Sequence, residues 1–88
     1  ANAEQIRDEA GKILSASPND AIALNTLALY YFRKQKLGAA KLLLARAVEK
    51  NPDVASIYNN LGVIELSEGD TAPAIANFKK ALKLDSSN

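Results

Sequence analysis

The stretch that decides the fold is Ala55–Ser86, with the sequence ASIYNNLGVIELSEGDTAPAIANFKKALKLDS. Its apolar residues recur at helical spacing on both sides of Glu68-Gly69-Asp70, which is a helix stop followed by an N-cap. The same pattern occurs thirty-four residues earlier and ends there in Asn51-Pro52. A period of that length indicates a helical repeat protein whose unit is a pair of helices.

The hydrophobic pattern predicts five helices. They run approximately over Ala3–Ser15, Asp20–Lys34, Gly38–Lys50, Val54–Ser67 and Thr71–Leu84. Prolines at the ends of the first and third helices stop them, because the residue before a proline is restricted to extended geometry. The third helix is apolar nearly all round, which predicts burial by neighbours on more than one side. The first and last helices have one apolar face each.

The second and fourth helices each carry two unlike faces. The first face is predicted to form core, with Leu24, Leu27, Ala28 and Tyr31 on the second helix and Tyr58, Leu61, Gly62 and Glu65 on the fourth. The opposite face mixes small, polar and apolar residues, which is unusual for a surface that meets only water. It comprises Ile22, Asn25, Thr26, Leu29 and Arg33 on the second helix and Ser56, Asn59, Asn60, Val63 and Ser67 on the fourth.

Composition excludes several kinds of chemistry. The 88 residues suit one small domain, and they contain neither cysteine nor histidine, so thiolate and imidazole sites are absent. We therefore expect no metal, no cofactor and no small-molecule substrate. Catalysis would have to rest on carboxylates, lysine or tyrosine, and Glu65 with Glu68 is the carboxylate pair that could approach. No apolar run approaches the ~20 residues that span a bilayer, and both cytoplasmic and exported locations are compatible with the sequence.

Charge is unevenly distributed along the chain. The net charge is +1 overall, but residues 1–20 carry −2 and residues 33–50 carry +5. A basic segment suits an acidic partner or a nucleic acid. Nucleic-acid binding is disfavoured because no aromatic platform is interleaved with these cations.

The residues Leu61-Gly62, Gly69-Asp70, Ala74, Phe78 and Ala81 resemble the tetratricopeptide repeat. The preceding copy matches it with Leu27-Ala28, Ala40, Leu44, Ala47 and Pro52, and the first helix with Ile6, Ala10, Ile13 and Pro18. The resemblance implies one domain over 1–88, with a half-repeat over 1–20 and full repeats over 21–54 and 55–88. It also implies an all-α fold of antiparallel helix-turn-helix units stacked as a short right-handed solenoid.

The resemblance further implies a non-catalytic scaffold that binds a peptide or a partner helix in a concave groove. The mixed face described above would line that groove. Asn25 and Asn59 lie one repeat apart and are predicted to stack as a ladder of amides, and Asn60 resembles the asparagines with which some members hold a peptide backbone. Members that capture chaperone C-termini use lysines on this face, which is without lysine here, so that specificity is not expected.

Two departures from the family pattern leave alternatives open. The turn glycine is replaced by Gln35, so the second and third helices are candidates for fusion into one long helix, with domain swapping or another homo-oligomer as the result. Glu65 stands at an apolar position and requires a partner or water.

Overall fold

The computed structural model describes residues 2–86 of the chain, and five helices form this part of it. They are α1 (Ala3–Ala16), α2 (Ala21–Arg33), α3 (Leu37–Lys50), α4 (Ala55–Ser67) and α5 (Thr71–Ser86). The predicted all-α fold is confirmed: antiparallel helix pairs stack as a short right-handed solenoid. The outermost positions of the predicted domain, residue 1 and residues 87–88, lie outside the described residues.

Side chains cap the first two helices. Asn2 and Gln5 form a capping box at α1, in which each side chain bonds the other residue's backbone N–H. The Asp20 carboxylate accepts a hydrogen bond from the backbone N–H of Ala23 at 2.9 Å, which makes Asp20 the N-cap of α2. These caps fix where α1 and α2 begin.

The turns that close the two hairpins have the same hydrogen bonds despite different sequences. After α2, Lys36 N–H donates to the Tyr31 carbonyl and Gln35 N–H donates to the Phe32 carbonyl; after α4, Asp70 and Gly69 donate in the same way. This is the Schellman arrangement, which needs one left-handed residue. Gly69 supplies it at φ 83° and Gln35 at φ 61°. Thus α2 and α3 are separate helices here, although the glycine is missing.

Small residues let the paired helices approach closely. A Cβ built on Gly62 would lie 2.7 Å from the Phe78 ring, so α5 packs where α4 has no side chain. Lys80 lies over the Tyr58 ring and Asn77 donates to Glu65, which fixes the antiparallel register of α4 and α5. Glu65 stands at an apolar position and was expected to need a partner or water, and the Asn77 amide is that hydrogen-bond partner.

The core is centred on α3, which lies between α2 and α4. It consists of Leu24, Ala28, Ala40, Leu44, Ala47, Ile57 and Ile64. Sequence reasoning missed Ile57 and Ile64, because both lie outside the face of α4 that matches the core face of α2. The prediction that neighbours bury α3 on more than one side is confirmed, although its outer side stays open. Leu42 is 74% exposed, since the neighbours of α3 cover only its inner sides.

Replacing Gln35 with glycine is expected to stabilise the protein. The left-handed conformation costs a residue with a Cβ about 1 kcal/mol, and glycine removes that cost. Urea unfolding of Gln35→Gly should therefore give a higher free energy of unfolding by about 1 kcal/mol. The matched control is Ala45→Gly, an exposed position inside α3, where glycine should lower stability by about 1 kcal/mol. Equal or lower stability of Gln35→Gly would contradict this account of the turn.

Candidate functional site

The predicted binding residues fall into three groups in the structure. On α2, four of them line an open groove beside α1: Ile22, Thr26, Leu29 and Arg33. Three join α2 to α4 through hydrogen bonds: Asn25, Ser56 and Asn60. The remaining three lie exposed along α4: Asn59, Val63 and Ser67. The mixed faces of α2 and α4 are therefore neighbours, but α2 also presents part of its face to α1.

A chain of amide and hydroxyl hydrogen bonds connects α2 with α4. The Asn60 amide donates to the Asn25 side-chain carbonyl at 2.6 Å, and the Asn25 amide donates to the Ser56 hydroxyl at 3.2 Å. The predicted stacking of Asn25 on Asn59 was wrong, because Asn25 uses both ends of its amide on other partners. Within the described residues the exposed Asn59 side chain makes no hydrogen bond, so its donor and acceptor face solvent.

The open groove beside α2 runs between α1 and α2 and is called the α1–α2 groove below. Two adjoining pockets of about 200 Å³ each form it, and Ile6 and Thr26 line both. The first pocket is the more apolar and is completed by Gln5, Glu9, Ala10, Ile13, Ile22 and Ala23. The sequence places Ile6 and Ile13 on the apolar face of the first helix, but the groove on that face was not predicted. The signal was the leading half-repeat: among residues 2–86 no helix covers this face of α1 in the way that α2 covers the same face of α3.

Two shallower depressions border the ends of α4. Near its beginning, Ser56 and Asn59 share a pocket of about 490 Å³ with Phe78 and Leu82 of α5. Near its end, Ser67 shares one of about 470 Å³ with Arg33 and the turn that follows α2. The exposed residues of α4 are thus accessible along the whole helix.

Tyr30 is the centre of a polar cluster at one end of the α1–α2 groove. Its hydroxyl donates to Glu4 at 3.4 Å and accepts from Arg7 at 3.3 Å, while Arg7 and Lys34 both lie over its ring. Lys34 also pairs with Glu4 at 3.4 Å, and this cation holds the pKa of the Glu4 carboxyl below its ordinary value. Asp8 raises the pKa of Arg7, which keeps that cation charged.

The carboxylates considered for catalysis have other partners. Glu65 accepts the Asn77 amide at 2.6 Å, and Glu68 pairs with Lys41 at 3.1 Å. These contacts hold the two side chains to α5 and α3 respectively. Across residues 2–86, no three His, Cys, Asp or Glu side chains are grouped closely enough to hold a metal ion. The Glu65 and Glu68 contacts are typical of structural carboxylates.

Comparison with known proteins identifies the family. A family model described as "Tetratricopeptide repeat" matches residues 25–88, which is more than half of the chain. The chain belongs to the tetratricopeptide repeat family. Tetratricopeptide repeats are protein–protein interaction scaffolds, and this membership confirms the resemblance carried by the Gly62 and Phe78 positions.

Two relatives place this tetratricopeptide repeat domain among longer proteins. It is 39% identical over 75 residues to "Heat shock protein STI1" of Saccharomyces cerevisiae, a match that covers 85% of the chain and 13% of that protein. The structure resembles "MamA 41-end from Desulfovibrio magneticus RS-1" with a TM-score of 0.80 and 25% identity, covering 90% of this chain and 45% of that one. The chain therefore spans less than half the length of either relative.

The helices between residues 2 and 86 fall short of the length and apolar character that a membrane crossing requires.

Asn25 and Asn59 are expected to differ in their contribution to stability. Asn25→Ala leaves Asn60 and Ser56 without their partner and should lower the free energy of unfolding by about 1 kcal/mol. Asn59→Ala is the matched control, since both positions are mid-helix and gain the same helix propensity. Urea unfolding should rank Asn25→Ala below Asn59→Ala, and equal stabilities would contradict a structural role for the interhelix bonds.

Removing Lys34 should raise the pKa of Glu4. The lysine favours the charged carboxylate, so Lys34→Gln should move the Glu4 carboxyl titration, followed by NMR, to higher pH. The depressed pKa also means that the Glu4 contribution to stability is present above the unfolded pKa and is lost as pH falls through the folded one. Lys12→Gln is the control, because Lys12 pairs with Glu9 instead. A Glu4 titration unchanged in Lys34→Gln would rule out the pairing.

Proposed function

We propose that this tetratricopeptide repeat domain is a non-catalytic scaffold that binds a peptide segment of a partner protein along α2 and α4. The hydrogen bond between Asn60 and Asn25 carries the proposal. At 2.6 Å it holds the two helices side by side, so that their mixed faces form one surface. In this proposal Asn25 and the five predicted residues of α4 belong to that surface, and the four residues that line the groove beside α1 extend it along α2. A face of this kind suits an extended peptide.

The exposed residues of α4 define how a peptide would be held. The Asn59 side chain offers an NH₂ group as donor and a carbonyl oxygen as acceptor, which suits pairing with a peptide backbone independently of its sequence. Val63 lies one helical turn away and is 37% exposed, so it provides an apolar contact beside that amide. Asn25 and Asn60 have a supporting role, because their amides are already engaged with each other.

The charge of this surface restricts the ligand. Arg33 is the one charged residue among the ten predicted positions, and it lies in the last turn of α2. The proposed ligand is therefore a mainly uncharged segment with small or apolar side chains. An acidic C-terminal tail would find one cation on this surface, whereas strong recognition of carboxylates usually involves several.

Peptides selected from a random library displayed on phage test the proposal. A selected peptide should bind about ten-fold more weakly to Asn59→Ala, which removes the free amide, and to Val63→Asp, which places a charge beside it. Affinities are measured by isothermal titration calorimetry, with helicity checked by circular dichroism. The matched control is Leu42→Asp, which adds the same charge to an exposed apolar position on the outer side of α3.

Three results would contradict this site. In the first, the peptides bind Asn59→Ala and Val63→Asp as tightly as the unaltered chain. In the second, they lose affinity for Leu42→Asp instead. A loss confined to Ile13→Asp would place the peptides in the α1–α2 groove, which also contradicts the α2–α4 surface.

A further inference from the structure

The helices α3 and α5 share an outer side, which faces away from α2 and α4. The two helices α2 and α4 contact each other, while α3 packs against both of them and α5 packs against α4. Helical periodicity places Lys79 and Lys83 on the outer side of α5, opposite the buried Ala74 and Ala81. A further hairpin stacks beside these helices and leaves this side open: Leu42 of α3 is 74% exposed although the α4–α5 hairpin stacks on α2–α3.

The outer side of α3 and α5 is strongly basic. Six of the eight charged residues of these two helices are cations, and the acids are Glu49 and Asp85. The six cations are all exposed, and they are Lys41, Arg46 and Lys50 on α3 and Lys79, Lys80 and Lys83 on α5. The ten predicted binding positions of α2 and α4 carry one charged residue, Arg33. The two sides of the stack therefore differ sharply in charge.

Several of these cations are without an anionic partner in the fold. Within residues 2–86, Arg46, Lys79 and Lys83 form no ion pair, in contrast to Lys41, which pairs with Glu68. Lys79 and Lys83 also stand one helical turn apart, where two like charges destabilise a helix. An external anion would relieve this repulsion, so the arrangement favours an anionic ligand.

Leu42 projects from the middle of this basic surface. Lys41 precedes it directly, and Arg46 follows it one helical turn later. The equivalent residues of α1 and α5 are Asp8 and Ala76, so the packing of the repeat does not require a leucine here. An exposed leucine between two long cationic side chains can enter the boundary between lipid headgroups and acyl chains while the charges stay at the headgroups.

The kind of cation and the shape of the surface indicate the kind of anion. Five of the six cations are lysines, which act as point charges and lack the planar fork with which arginine pairs with single carboxylates. The depression of about 570 Å³ on this side is lined by residues of α3 alone, so it is not a cleft between helices. Diffuse positive charge on such a surface suits an extended anionic surface better than an acidic peptide.

A nucleic acid would also present an extended array of negative charge. Single strands are usually held by stacking of bases on aromatic side chains. Phe78 is the aromatic residue of α3 and α5, and it packs against Gly62 rather than facing outward. Leu42 would gain nothing from a phosphate backbone. A lipid surface uses both the cations and the leucine.

We infer that the outer side of α3 and α5 binds the surface of a membrane rich in anionic phospholipids. The lysines lie at the lipid phosphates, and Leu42 enters the interface beside them. The α2–α4 surface then faces away from the membrane and stays accessible to a peptide. The inference does not depend on peptide binding, because the two surfaces share no residue.

Flotation with lipid vesicles tests the inference. The chain should float with vesicles of phosphatidylcholine and phosphatidylglycerol in equal parts, and it should stay behind with vesicles of phosphatidylcholine alone. Raising sodium chloride from about 50 mM to about 500 mM should weaken binding about ten-fold or more, because salt screens these exposed charges. Asn59→Ala should float like the unaltered chain, which keeps this test separate from that of the α2–α4 surface.

Removal of two lysines should weaken binding to the anionic vesicles. The double variant Lys79→Gln, Lys83→Gln should bind about ten-fold more weakly, because each cation near an anionic leaflet strengthens binding roughly five-fold. The matched control is Lys34→Gln, Lys36→Gln, which removes the same charge at the turn after α2 and should change binding by less than about two-fold. Circular dichroism checks that both variants keep their helicity.

A tryptophan at position 42 should report entry into the lipid interface. The chain contains no tryptophan, so Leu42→Trp introduces a single one on the outer side of α3. Its emission should move to shorter wavelength when anionic vesicles are added. The matched control is Val63→Trp on α4, whose emission should stay unchanged because that side faces away from the membrane.

Four results would overturn the inference. Equal flotation with the two kinds of vesicle would show that anionic lipid is not recognised. Equal losses in the two double variants would show that net charge, and not this surface, governs binding. An unchanged emission of Leu42→Trp on floated vesicles would place this side away from the lipid. Binding to a DNA duplex in gel electrophoresis, with no flotation, would identify a nucleic acid as the anionic partner.

Discussion

The close packing of two antiparallel helices at a small residue is the constraint on which this structure depends. At Gly62 there is no room for a Cβ, because the Phe78 ring occupies the place where one would stand. Ala28 and Leu44 hold the equivalent positions one repeat earlier, and both are 0% exposed. A helix pair packed in this way cannot cover both of its sides, so it must stack on a neighbouring pair. The arrangement of α2 beside α4 follows from that stacking.

The candidate surface is a consequence of the same geometry. Stacking of the hairpins brings the mixed faces of α2 and α4 together, and there the Asn60–Asn25 hydrogen bond joins them. Polar side chains at such a contact must form hydrogen bonds with one another, since an unpaired amide between packed helices lowers the stability of the fold. Residues such as Asn25 therefore use their side chains to join α2 to α4, whereas the side chain of Asn59 remains available to a ligand.

The turn at Gln35 shows how tertiary structure can override a local preference. Glutamine is a poor residue for a positive φ, and its presence left a fused helix open as an alternative. The hairpin forms nevertheless, because α3 buries Ala40, Leu44 and Ala47 only when it folds back on α2. Burial of that face stabilises the fold by more free energy than one residue in the left-handed region costs.

The sequence by itself determined the fold, through its period of thirty-four residues, its prolines and its small residues at regular positions. It also determined which face of α2 and α4 mixes small, polar and apolar residues and so differs from a core face. Only the tertiary structure decided which amides pair, because a repeat spacing places Asn25 level with Asn59 but does not give the stagger that brings it to Asn60. The exposure of Ile6 and Ile13 was likewise decided in three dimensions. Helical periodicity shows that a face is apolar, whereas burial requires a neighbour to cover it.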